Sequence, residues 1–521
     1  MLINFSNHFE SLANRFGDRE AIVNTERNRR YSYREFHLLT NRIVNMMQST
    51  LGLGLNDRFI NILENDNLSL LHFPTIFKGP ATAAFCNYRD SLSEHTWQVE
   101  CAKAKVAFIE KELLGSHYDM LRERQVTVVV MDRPDEPKEG VHYFWDLLRT
   151  APDHNPEVEL NDRDHCAIIR FTGGTTGKGK PAMYSIDNWL NCRDTAFAIT
   201  DKGMWSEATR VLHIAPISHG SGMLYLPSFY SGGCNVTQNT PDLKHYCTNI
   251  QKEQITHSFL VPTILYRLLE IDADMSSLRY MLYGAAPMSP GKLKQLQAKM
   301  GNIFVQVYGS TEHFGFSSNL SIEQHIINTP EDEVRLSSAG QPTSGVEFII
   351  VDDNGRKVAP GESGEIWMRS RGTCLGYLNA PEKTAEEFHN GFWKSGDIGY
   401  MDKDGFIYLI DRKKDMIISG GFNIYANEVE AALNCHPAVL MSAVVGIPHE
   451  EWGEAVHAEV LLRDDSEASE QELINFVKNR IGNYKAPKSV KVVKELPMSV
   501  VGKILRRKVR EHYWGEGRKI S

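Results

Sequence analysis

The sequence predicts an α/β fold followed by a small α+β domain, and three observations carry that prediction. From about residue 105, short apolar runs of strand length alternate with amphipathic stretches, a pattern typical of parallel strands joined by crossover helices. After about residue 340 the apolar runs are separated by Asp-Gly turns, which indicates antiparallel hairpins. Past Asp415 a second, shorter alternation of helix and strand begins. We therefore expect a large N-terminal domain of parallel α/β sheets with a small antiparallel β subdomain, and a small C-terminal α+β domain.

Length and composition narrow the function classes. The 521 residues allow three or four folding units at about 150 residues each, and 42% hydrophobic with 24% charged residues is an ordinary globular composition. Because 57 basic residues stand against 66 acidic ones, the chain lacks the basic field that a nucleic-acid binder needs. The eight cysteines contain no C-x-x-C pair, and no apolar window reaches about eighteen residues. We expect a cytoplasmic protein with no nucleic-acid partner and no integral membrane segment.

Taken in order, the elements begin with a capped helix. Ser32 and Glu35 have capping-box spacing, and Phe36, Leu39 and Ile43 recur on one face of the helix that follows. The runs that we expect as buried strands are 106–109, 126–131, 167–171, 211–215, 259–261, 280–283 and 303–307. Amphipathic stretches separate these runs, so we expect crossover helices between successive strands.

The last third of the chain predicts hairpins and then a separate domain. The expected antiparallel strands are 348–351, 365–368 and 406–410. Further elements are expected as helices near 427–433 and 471–481 and strands near 441–445 and 456–462. The charged run at 411–415 marks the boundary, so we expect a large domain over 1–411, a hinge at 412–414 and a small domain over 415–521.

The clearest candidate for chemistry is a glycine-rich loop at residues 171–180, directly after an expected buried strand. It reads Phe-Thr-Gly-Gly-Thr-Thr-Gly-Lys-Gly-Lys. Glycines let backbone amides approach a phosphate, hydroxyls donate hydrogen bonds to its oxygens, and lysines neutralise its charge. The loop is not a Walker A motif, because no Gly-Lys-Ser/Thr stands at the required spacing. Taken alone, it is equally consistent with a flexible surface turn.

Four further motifs accompany that loop. They are Gln-Val-Tyr-Gly-Ser-Thr-Glu at 306–312, Ser-Gly-Asp at 395–397, Ser-Gly-Gly-Phe-Asn-Ile-Tyr at 419–425 and Gly-Lys-Ile-Leu-Arg-Arg at 502–507. The first also ends an expected strand, and ligands of open α/β sheets bind beyond the carboxyl ends of strands. Glu312 in such a place would hold Mg²⁺, which prefers hard oxygen ligands. Taken singly, Glu312 also fits the acidic first turn of a helix, and the basic segment fits a solvated surface.

Together the five motifs resemble those of the adenylate-forming, or AMP-binding, superfamily of acyl-CoA synthetases, adenylation domains and luciferases. The resemblance spans nearly the whole chain, in the family's order and spacing. The phosphate loop matches at Thr172, at 174–177 and at Lys180. It departs from the family pattern at Phe171, Gly173, Gly179 and Pro181. The glycine at 173 replaces a serine whose hydroxyl would be one phosphate donor.

The resemblance implies a nucleotide site built from the matched residues. The ATP phosphates would be covered by Thr172, Gly174, Thr175, Thr176, Gly177 and Lys180. The adenine would lie against Gly284, Ala285, Ala286, Pro287, Tyr308 and Gly309. Thr311 would touch the α-phosphate, and Glu312 would bind Mg²⁺. Asp397 and Arg412 would hold the ribose hydroxyls.

The resemblance also implies a two-step reaction that uses ATP, Mg²⁺ and CoA. A carboxylate attacks the α-phosphorus of ATP and releases pyrophosphate, and a thiol then attacks the acyl adenylate and releases AMP. Lys503 would be the catalytic lysine of the first step, and Gly420 and Gly421 would line the thiol tunnel of the second. Because both lie on the small domain, that domain is expected to be mobile, with Lys414 at the hinge.

Two alternatives stay open at this stage. The thiol could belong to the phosphopantetheine of an acyl or peptidyl carrier protein, which the same residues permit. A luciferase-like oxidative enzyme or an inactive acyl-binding relative is an alternative of a different class. The presence of Lys503, Glu312 and Asp397 favours an active ligase.

The acid is expected to be hydrophobic. His219 matches the place where acyl-CoA and aryl-CoA ligases have an aromatic or histidine gate, although a hydrogen-bonded structural histidine is the alternative. No aspartate stands at 218–223 to hold an ammonium group, which favours an acid without an α-amine. The expected pocket residues are apolar and offer no cation to a charged tail: Trp189, Leu190, Met223, Phe314 and Phe316. We therefore expect a medium- or long-chain aliphatic acid, or a bulky aromatic or alicyclic one.

Overall fold

The fold agrees with the class that the sequence predicts. The structure is a computed structural model that describes residues 1–172, 179–199, 203–412, 415–499 and 502–514. Two large sheets with covering helices form the first domain, a five-stranded antiparallel sheet follows, and a smaller α+β domain completes the described chain. The capping box at Ser32 and Glu35 is present, and it starts the helix Tyr33–Ser49.

The first large sheet carries the phosphate loop at its antiparallel edge. Within the described residues its strands are, in spatial order, Gly376–Tyr377, Pro181–Ser185, Cys166–Phe171, Thr82–Phe85, Arg58–Ile62, Val106–Ile109, Thr127–Val130 and Val141–Tyr143. The pairing from Cys166–Phe171 onward is parallel, and the first two strands are antiparallel additions.

The second large sheet supplies the loops that follow Gly284 and Tyr308. Its described strands are, in spatial order, Gln341–Pro342, Ser318–Leu320, Phe304–Tyr308, Tyr280–Gly284, His257–Leu260, Arg210–His213, Cys234–Thr237, Glu20–Asn24 and Arg29–Ser32. The six central strands are parallel. A separate short pair joins Leu2–Ile3 to Leu160–Asn161.

Helices cover both sheets of the large domain. They span Phe5–Phe16, Tyr33–Ser49, Asn65–Leu68, Phe73–Lys78, Leu92–Ala102, Leu114–Glu123, Phe144–Arg149, Ile186–Ala198, Tyr225–Tyr230, Leu243–Lys252, Pro262–Leu268, Pro290–Met300, Pro330–Arg335 and Pro381–Glu387. Single 3-10 turns lie at Ser69–Leu71, Lys111–Leu113, Gly220–Leu224 and Glu323–His325. None of the helices in the described part of the chain has both the length and the hydropathy that a membrane span requires.

The antiparallel subdomain shows where the charged run at 411–415 lies. Its strands are Glu347–Val351, Gly364–Arg369, Phe388–His389, Phe392–Met401 and Ile407–Arg412. The last strand extends two residues beyond the expected 406–410, because the carboxylate of Asp411 is buried against Arg506 and Arg412 pairs across the strand with Asp397. Asp411 and Arg412 are therefore strand residues, and 413–414 lie outside the described residues.

The small domain consists, in its described part, of one sheet and three helices. Its strands are Ile417–Ser419, Phe422–Ile424, Val439–His449, Gly453–Leu462 and Ser489–Val493, and its helices are Ala426–Leu433, Glu470–Ile481 and Arg506–Trp514. The long hairpin strands run beyond the expected 441–445 and 456–462 because they pair along almost their whole length.

The small domain is docked on the helix Pro290–Met300 and its neighbours. The buried ammonium of Lys292 donates to the carbonyl of Val439 at 2.7 Å, and Arg463 forms an ion pair with Glu270. One apolar cluster includes side chains of both domains, among them Met441. This shared core fixes how the two domains meet in the structure.

Candidate active site

The loops after two neighbouring parallel strands lie side by side at one edge of the second sheet. Gly284 pairs with Val307, so the turn at 284–287 lies beside Tyr308. A Cβ on Gly284 would lie 2.2 Å from the carbonyl oxygen of Val307, so this close approach requires glycine. Ala285 adopts a φ of 67°, which turns the chain away from the sheet. The residues expected to line an adenine, namely Gly284, Ala285, Ala286, Pro287, Tyr308 and Gly309, are thus brought together.

A carboxylate connects this edge to the antiparallel subdomain. Asp397 and Arg412 lie opposite each other on paired strands, with Arg412 Nε 3.2 Å from Asp397 Oδ1. The Tyr308 hydroxyl donates to Asp397 Oδ2 at 2.6 Å. Burial and the Asp397 charge raise the pKa of Tyr308 well above its ordinary value, so the phenol stays a donor. The two expected ribose residues and one expected adenine residue therefore form one cluster.

Glu312 lies in a second cluster, which includes two residues that sequence reasoning missed. The Lys180 ammonium is 2.7 Å from Glu387 and 3.5 Å from Glu312. The Tyr377 hydroxyl lies 3.1 Å from Glu312 Oε1 and also contacts Glu387. Two of these residues were expected near the phosphates and Mg²⁺, whereas Tyr377 and Glu387 come from the segment 376–387. No motif in that segment of the sequence indicated that it contacts Lys180 and Glu312.

The base of the phosphate loop is closed by Thr172 and Lys180. The Thr172 amide donates to the Lys180 carbonyl at 2.9 Å, and the Lys180 amide donates to the Thr172 hydroxyl at 3.1 Å. A Cβ on Gly179 would lie 2.1 Å from the Thr172 carbonyl oxygen, so this departure from the family pattern suits the closed base. The expected phosphate residues Gly174, Thr175, Thr176 and Gly177 lie outside the described residues.

Lys503 is brought to the nucleotide residues by a hairpin of the small domain. Its amide donates to Ser499 Oγ at 3.1 Å, and the Thr263 hydroxyl of the large domain donates to the Gly502 carbonyl at 2.5 Å. Burial and the Arg412 charge lower the pKa of Lys503 to about 8, whereas the charges of Asp397 and Glu312 act in the opposite direction. The ammonium thus lies within electrostatic reach of both carboxylates.

The Gly420–Gly421 hairpin lies on the surface of the small domain. The Gly420 amide donates to the Trp452 carbonyl at 2.9 Å, and Gly421 has a φ of 82°. Phe422, at the same tip, is 60% exposed and packs on Tyr484. As far as the described residues show, the structure brings Lys503, and not this hairpin, to the nucleotide residues.

His219 is held beside the expected acyl pocket. Its Nδ1 lies 3.0 Å from the Ser218 hydroxyl. Burial and the charges of Arg170 and Lys503 lower the pKa of His219 to about 3, so the imidazole is neutral near pH 7. The tilted rings of Trp189 and Phe314 pack with their centroids 4.0 Å apart, and both side chains are buried.

The expectation that no cation reaches this pocket is wrong. Arg170 is 5% exposed, and its guanidinium lies 5.0 Å from the ring centroid of Phe314 and 5.9 Å from that of Trp189. The signal was present in the sequence, because an arginine interrupts the otherwise apolar strand Cys166–Phe171. It was missed because the run as a whole is strongly apolar and Arg170 lies outside the stretches expected to line the pocket.

Comparison with known proteins decides the family. The model of the AMP-binding enzyme family matches residues 9–378, and that of the AMP-binding enzyme C-terminal domain matches residues 428–503. This chain belongs to the AMP-binding enzyme family. The predicted superfamily is confirmed, and the two matched regions lie within the large domain and the small domain of the structure.

Several relatives of this AMP-binding enzyme are acid–CoA ligases. A medium/long-chain-fatty-acid–CoA ligase of Mycobacterium tuberculosis is 36% identical over 80% of this chain and 73% of that protein. A 2-succinylbenzoate–CoA ligase of Bacillus licheniformis is 33% identical over 81% of this chain and 83% of that protein. The solved o-succinylbenzoate CoA synthetase of Bacillus subtilis, in complex with its acyl-adenylate intermediate, is 26% identical, covers 99% of both chains and superposes with a TM-score of 0.82. The prediction of an adenylate-forming acid–thiol ligase is confirmed.

Proposed function

We propose that this enzyme joins a largely apolar carboxylic acid to the thiol of CoA through a bound acyl adenylate. The CoA-ligase relatives support the overall reaction. The observation that carries the assignment of residues is the position of Lys503, which lies within electrostatic reach of Asp397, Arg412 and Glu312. An ammonium in that place would stabilise the negative charge that develops on the phosphate oxygens when a carboxylate attacks the phosphorus.

The first step forms the acyl adenylate. An oxygen of the acid attacks the α-phosphorus of ATP, a new C–O–P linkage forms, and the bond to pyrophosphate breaks. Asp397 and Arg412 would orient the ribose, and Thr311 would contact the α-phosphate. Lys503 would neutralise charge on the α-phosphate oxygens, so its contribution is positioning and electrostatic stabilisation.

Glu312 fits the role of a Mg²⁺ ligand. Its carboxylate is 7% exposed, and its Oε1 is contacted by Tyr377. Its Oε2 takes part in no hydrogen bond among the described residues. Mg²⁺ usually needs only one or two carboxylates when phosphates complete its coordination. The ion would supply neutralisation of phosphate charge.

Lys180 needs a change of partner to act on phosphates. In this structure its ammonium forms an ion pair with Glu387 at 2.7 Å. The phosphates of ATP carry more negative charge than one carboxylate, so they would compete for that ammonium. Glu387 would then hold Lys180 in place between turnovers.

The second step transfers the acyl group to the thiol. The sulfur attacks the adenylate carbonyl, and the bond to AMP breaks. Gly420 and Gly421 lie on the exposed hairpin, so a rotation of the small domain about residues 412–414 would replace Lys503 with this hairpin. The docked arrangement described here suits the first step.

The acid is proposed to be medium- or long-chain aliphatic, or bulky aromatic or alicyclic. Trp189 and Phe314 provide the apolar surface, and each buried methylene is worth about 0.8 kcal/mol. A carrier-protein thiol remains the second candidate acceptor, since the exposed side chains of Ile418 and Phe422 flank the thiol hairpin. A cytoplasmic location accords with the use of ATP and CoA and with eight free cysteines.

The proposed function is tested by two assays. Pyrophosphate exchange over acetate, hexanoate, dodecanoate, benzoate and phenylalanine should show the highest catalytic efficiency for a hydrophobic acid. Thioester formation should then be compared with CoA and with a phosphopantetheinylated carrier protein as acceptors. A preference for acetate or phenylalanine would contradict the proposed acid class, and transfer to the carrier protein alone would contradict CoA as the acceptor.

A further inference from the structure

Arg170 is a buried cation that lacks a carboxylate partner. It lies on the strand Cys166–Phe171, directly before the phosphate loop at 171–180, and is 5% exposed. No described carboxylate forms an ion pair with it, and its Nε has no hydrogen-bond partner. Several other partly buried arginines are paired with carboxylates, for example Arg210 with Glu253 at 2.8 Å and Arg506 with Glu430 at 2.6 Å. An unpaired buried guanidinium destabilises the fold unless a bound group satisfies it.

Further hydrogen-bond donors without partners surround Arg170. The two ring nitrogens of His72 and the indole nitrogen of Trp189 have no hydrogen-bond partner among the described residues, although both side chains are fully buried. The His72 and Trp189 rings are 6.2 Å apart, and the Arg170 guanidinium is 5.9 Å from the Trp189 ring. On the strands, Arg170 pairs with Phe85, on which His72 stacks. The Tyr184 hydroxyl lies within hydrogen-bond reach of the Arg170 guanidinium. Arg170 Nε, the His72 ring and the Trp189 indole are left without an acceptor in this buried place.

This place lies on the acyl side of the reaction centre. Arg170 faces the layer between the two large sheets, where Phe314 covers its guanidinium. The Arg170 charge lowers the pKa of His219. Burial lowers the pKa of Arg170 itself, and the Glu312 charge partly offsets that lowering. An acid whose reacting carboxyl lies between His219 and Lys503 would direct its other end into the layer that holds Arg170.

We propose that Arg170 is a specificity-determining residue, which binds an oxygen-acceptor group carried by the acyl part of the acid at a distance from the reacting carboxyl. A second carboxylate matches the guanidinium in charge and in its two-oxygen geometry, and a carbonyl or hydroxyl oxygen satisfies the same donors without the charge. The inference rests on the proposed function, since it names the substrate class of that same site. The acid is then apolar along most of its length and polar at its buried end.

The alternative is a purely structural cation stacked on two aromatic rings. Stacking of this kind stabilises a fold without any ligand. In that case Arg170 would be necessary for the stability of the fold and would have no effect on which acid the enzyme prefers. The two possibilities differ in what happens to substrate preference when the guanidinium is removed.

The test compares matched acids in pyrophosphate exchange. The pairs are straight-chain dicarboxylates of six to twelve carbons against monocarboxylates of the same length, and 4-carboxycinnamate or 4-hydroxycinnamate against cinnamate. For the wild type we expect kcat/KM to favour the acceptor-bearing member by about tenfold or more in at least one pair, because buried donors are left unsatisfied by the plain acid. Equal kcat/KM in every pair would overturn the proposal, whatever a variant shows.

Variants locate the preference. Arg170→Met should remove it, by lowering kcat/KM for the acceptor-bearing acid and leaving that for the plain acid unchanged or higher, while Arg170→Lys should restore part of it for the dicarboxylate. Arg58→Met is the matched control, because Arg58 lies on the same sheet and donates to the Ala102 carbonyl away from the site. It should leave every ratio unchanged. If Arg170→Met lowers all acids equally, or leaves the ratio unchanged, Arg170 does not set specificity.

Failure of this inference is distinguishable from failure of the proposed function. If acids are adenylated and converted to CoA thioesters but every pair is treated alike, the inference alone is wrong. If no acid of the panel supports pyrophosphate exchange, the proposed function is wrong as well. Should Arg170→Met fold poorly, His72→Phe provides a second variant, and it should weaken the same preference.

Discussion

Asp397 and Arg412 are held opposite each other on paired strands, 3.2 Å apart, and the Asp397 carboxylate also accepts the Tyr308 hydroxyl at 2.6 Å. One carboxylate therefore joins the edge of the second large sheet to the antiparallel subdomain. Arg412 is the last described residue before 413–414, and the small-domain strand Ile417–Ser419 follows a few residues later. The nucleotide site and the connection to the small domain thus share a side chain.

Asp397→Asn should raise the KM for ATP by about tenfold, because a charged acceptor for the ribose hydroxyls and the partner of Arg412 are lost together. Steady-state pyrophosphate exchange at varied ATP measures it. Asp404→Asn, in an exposed turn of the same subdomain, is the control and should leave this KM unchanged. An unaltered KM in Asp397→Asn would show that the ribose is held elsewhere.

Adenylation should lose efficiency above about pH 8. The pKa of Lys503 is lowered to about 8 by burial and by Arg412, so its charge is present below that pH and is lost above it. The profile of kcat/KM reports pKa values of the free enzyme. Thioester formation from added acyl adenylate should show no such decline. A flat adenylation profile up to about pH 9.5 would contradict the need for this charge.

The folded state should become less stable between about pH 7.5 and about pH 5.5. Burial lowers the pKa of several histidines, to about 3 for His257 and about 4 for His213, His313 and His325. Because their unfolded pKa is about 6.5, the unfolded chain binds more protons in this interval, so each histidine costs about 1 kcal/mol of stability by about pH 5.5.

Two carboxyls act in the opposite sense over the same interval. Burial raises the pKa of Asp66 to about 6 and that of Glu110 to about 7, so the folded state binds protons there and gains stability as the pH falls. The histidines outnumber them, and we expect a net loss of about 2 kcal/mol in the free energy of unfolding. Urea titrations at the two pH values measure it. Equal or greater stability at the lower pH would contradict the assigned neutral histidines.

The contact between the domains should favour the first half-reaction. Lys292→Met removes a buried ammonium that donates to the Val439 carbonyl, and a charge-assisted hydrogen bond is worth about 1.5–3 kcal/mol. Pyrophosphate exchange should fall about tenfold, whereas thioester formation from added adenylate should not.

Lys414→Pro, at the expected hinge, should lower thioester formation much more than pyrophosphate exchange, because proline restricts φ.

The control for the contact lies on the same helix. Lys294 is an exposed residue that pairs with Glu333, so Lys294→Met should leave both half-reactions unchanged. If Lys292→Met and Lys294→Met behave alike, the docked arrangement does not limit adenylation.

The sequence predicted the fold where local pattern decides it. Strands such as Val106–Ile109 and Tyr280–Gly284 are formed by short apolar runs. The helix after Ser32 is started by its own capping box. Each of these elements can therefore be predicted from residues that are close together in the sequence. The motif that ends in Glu312 follows the strand Phe304–Tyr308, as the pattern predicted, whereas Asp397 lies within the strand Phe392–Met401.

Long-range contacts could not be predicted in this way. Glu387 reaches Lys180 from 207 residues away, and no local pattern links the two. Arg170 was missed because one charged residue changes the mean hydropathy of an apolar strand little. Asp411 belongs to a strand only because Arg506, from the last described helix, neutralises it. Charge pairing across the fold decided each of these positions.

The most direct test of the central claim is Lys503→Ala assayed in the two half-reactions separately. The ammonium is needed only while the α-phosphorus is attacked, so pyrophosphate exchange should be abolished while thioester formation from pre-formed acyl adenylate and CoA stays within about twofold of the wild type. Circular dichroism and the thermal midpoint would establish that the variant is folded. Equal loss of both half-reactions, or retention of both, would contradict the role assigned to Lys503.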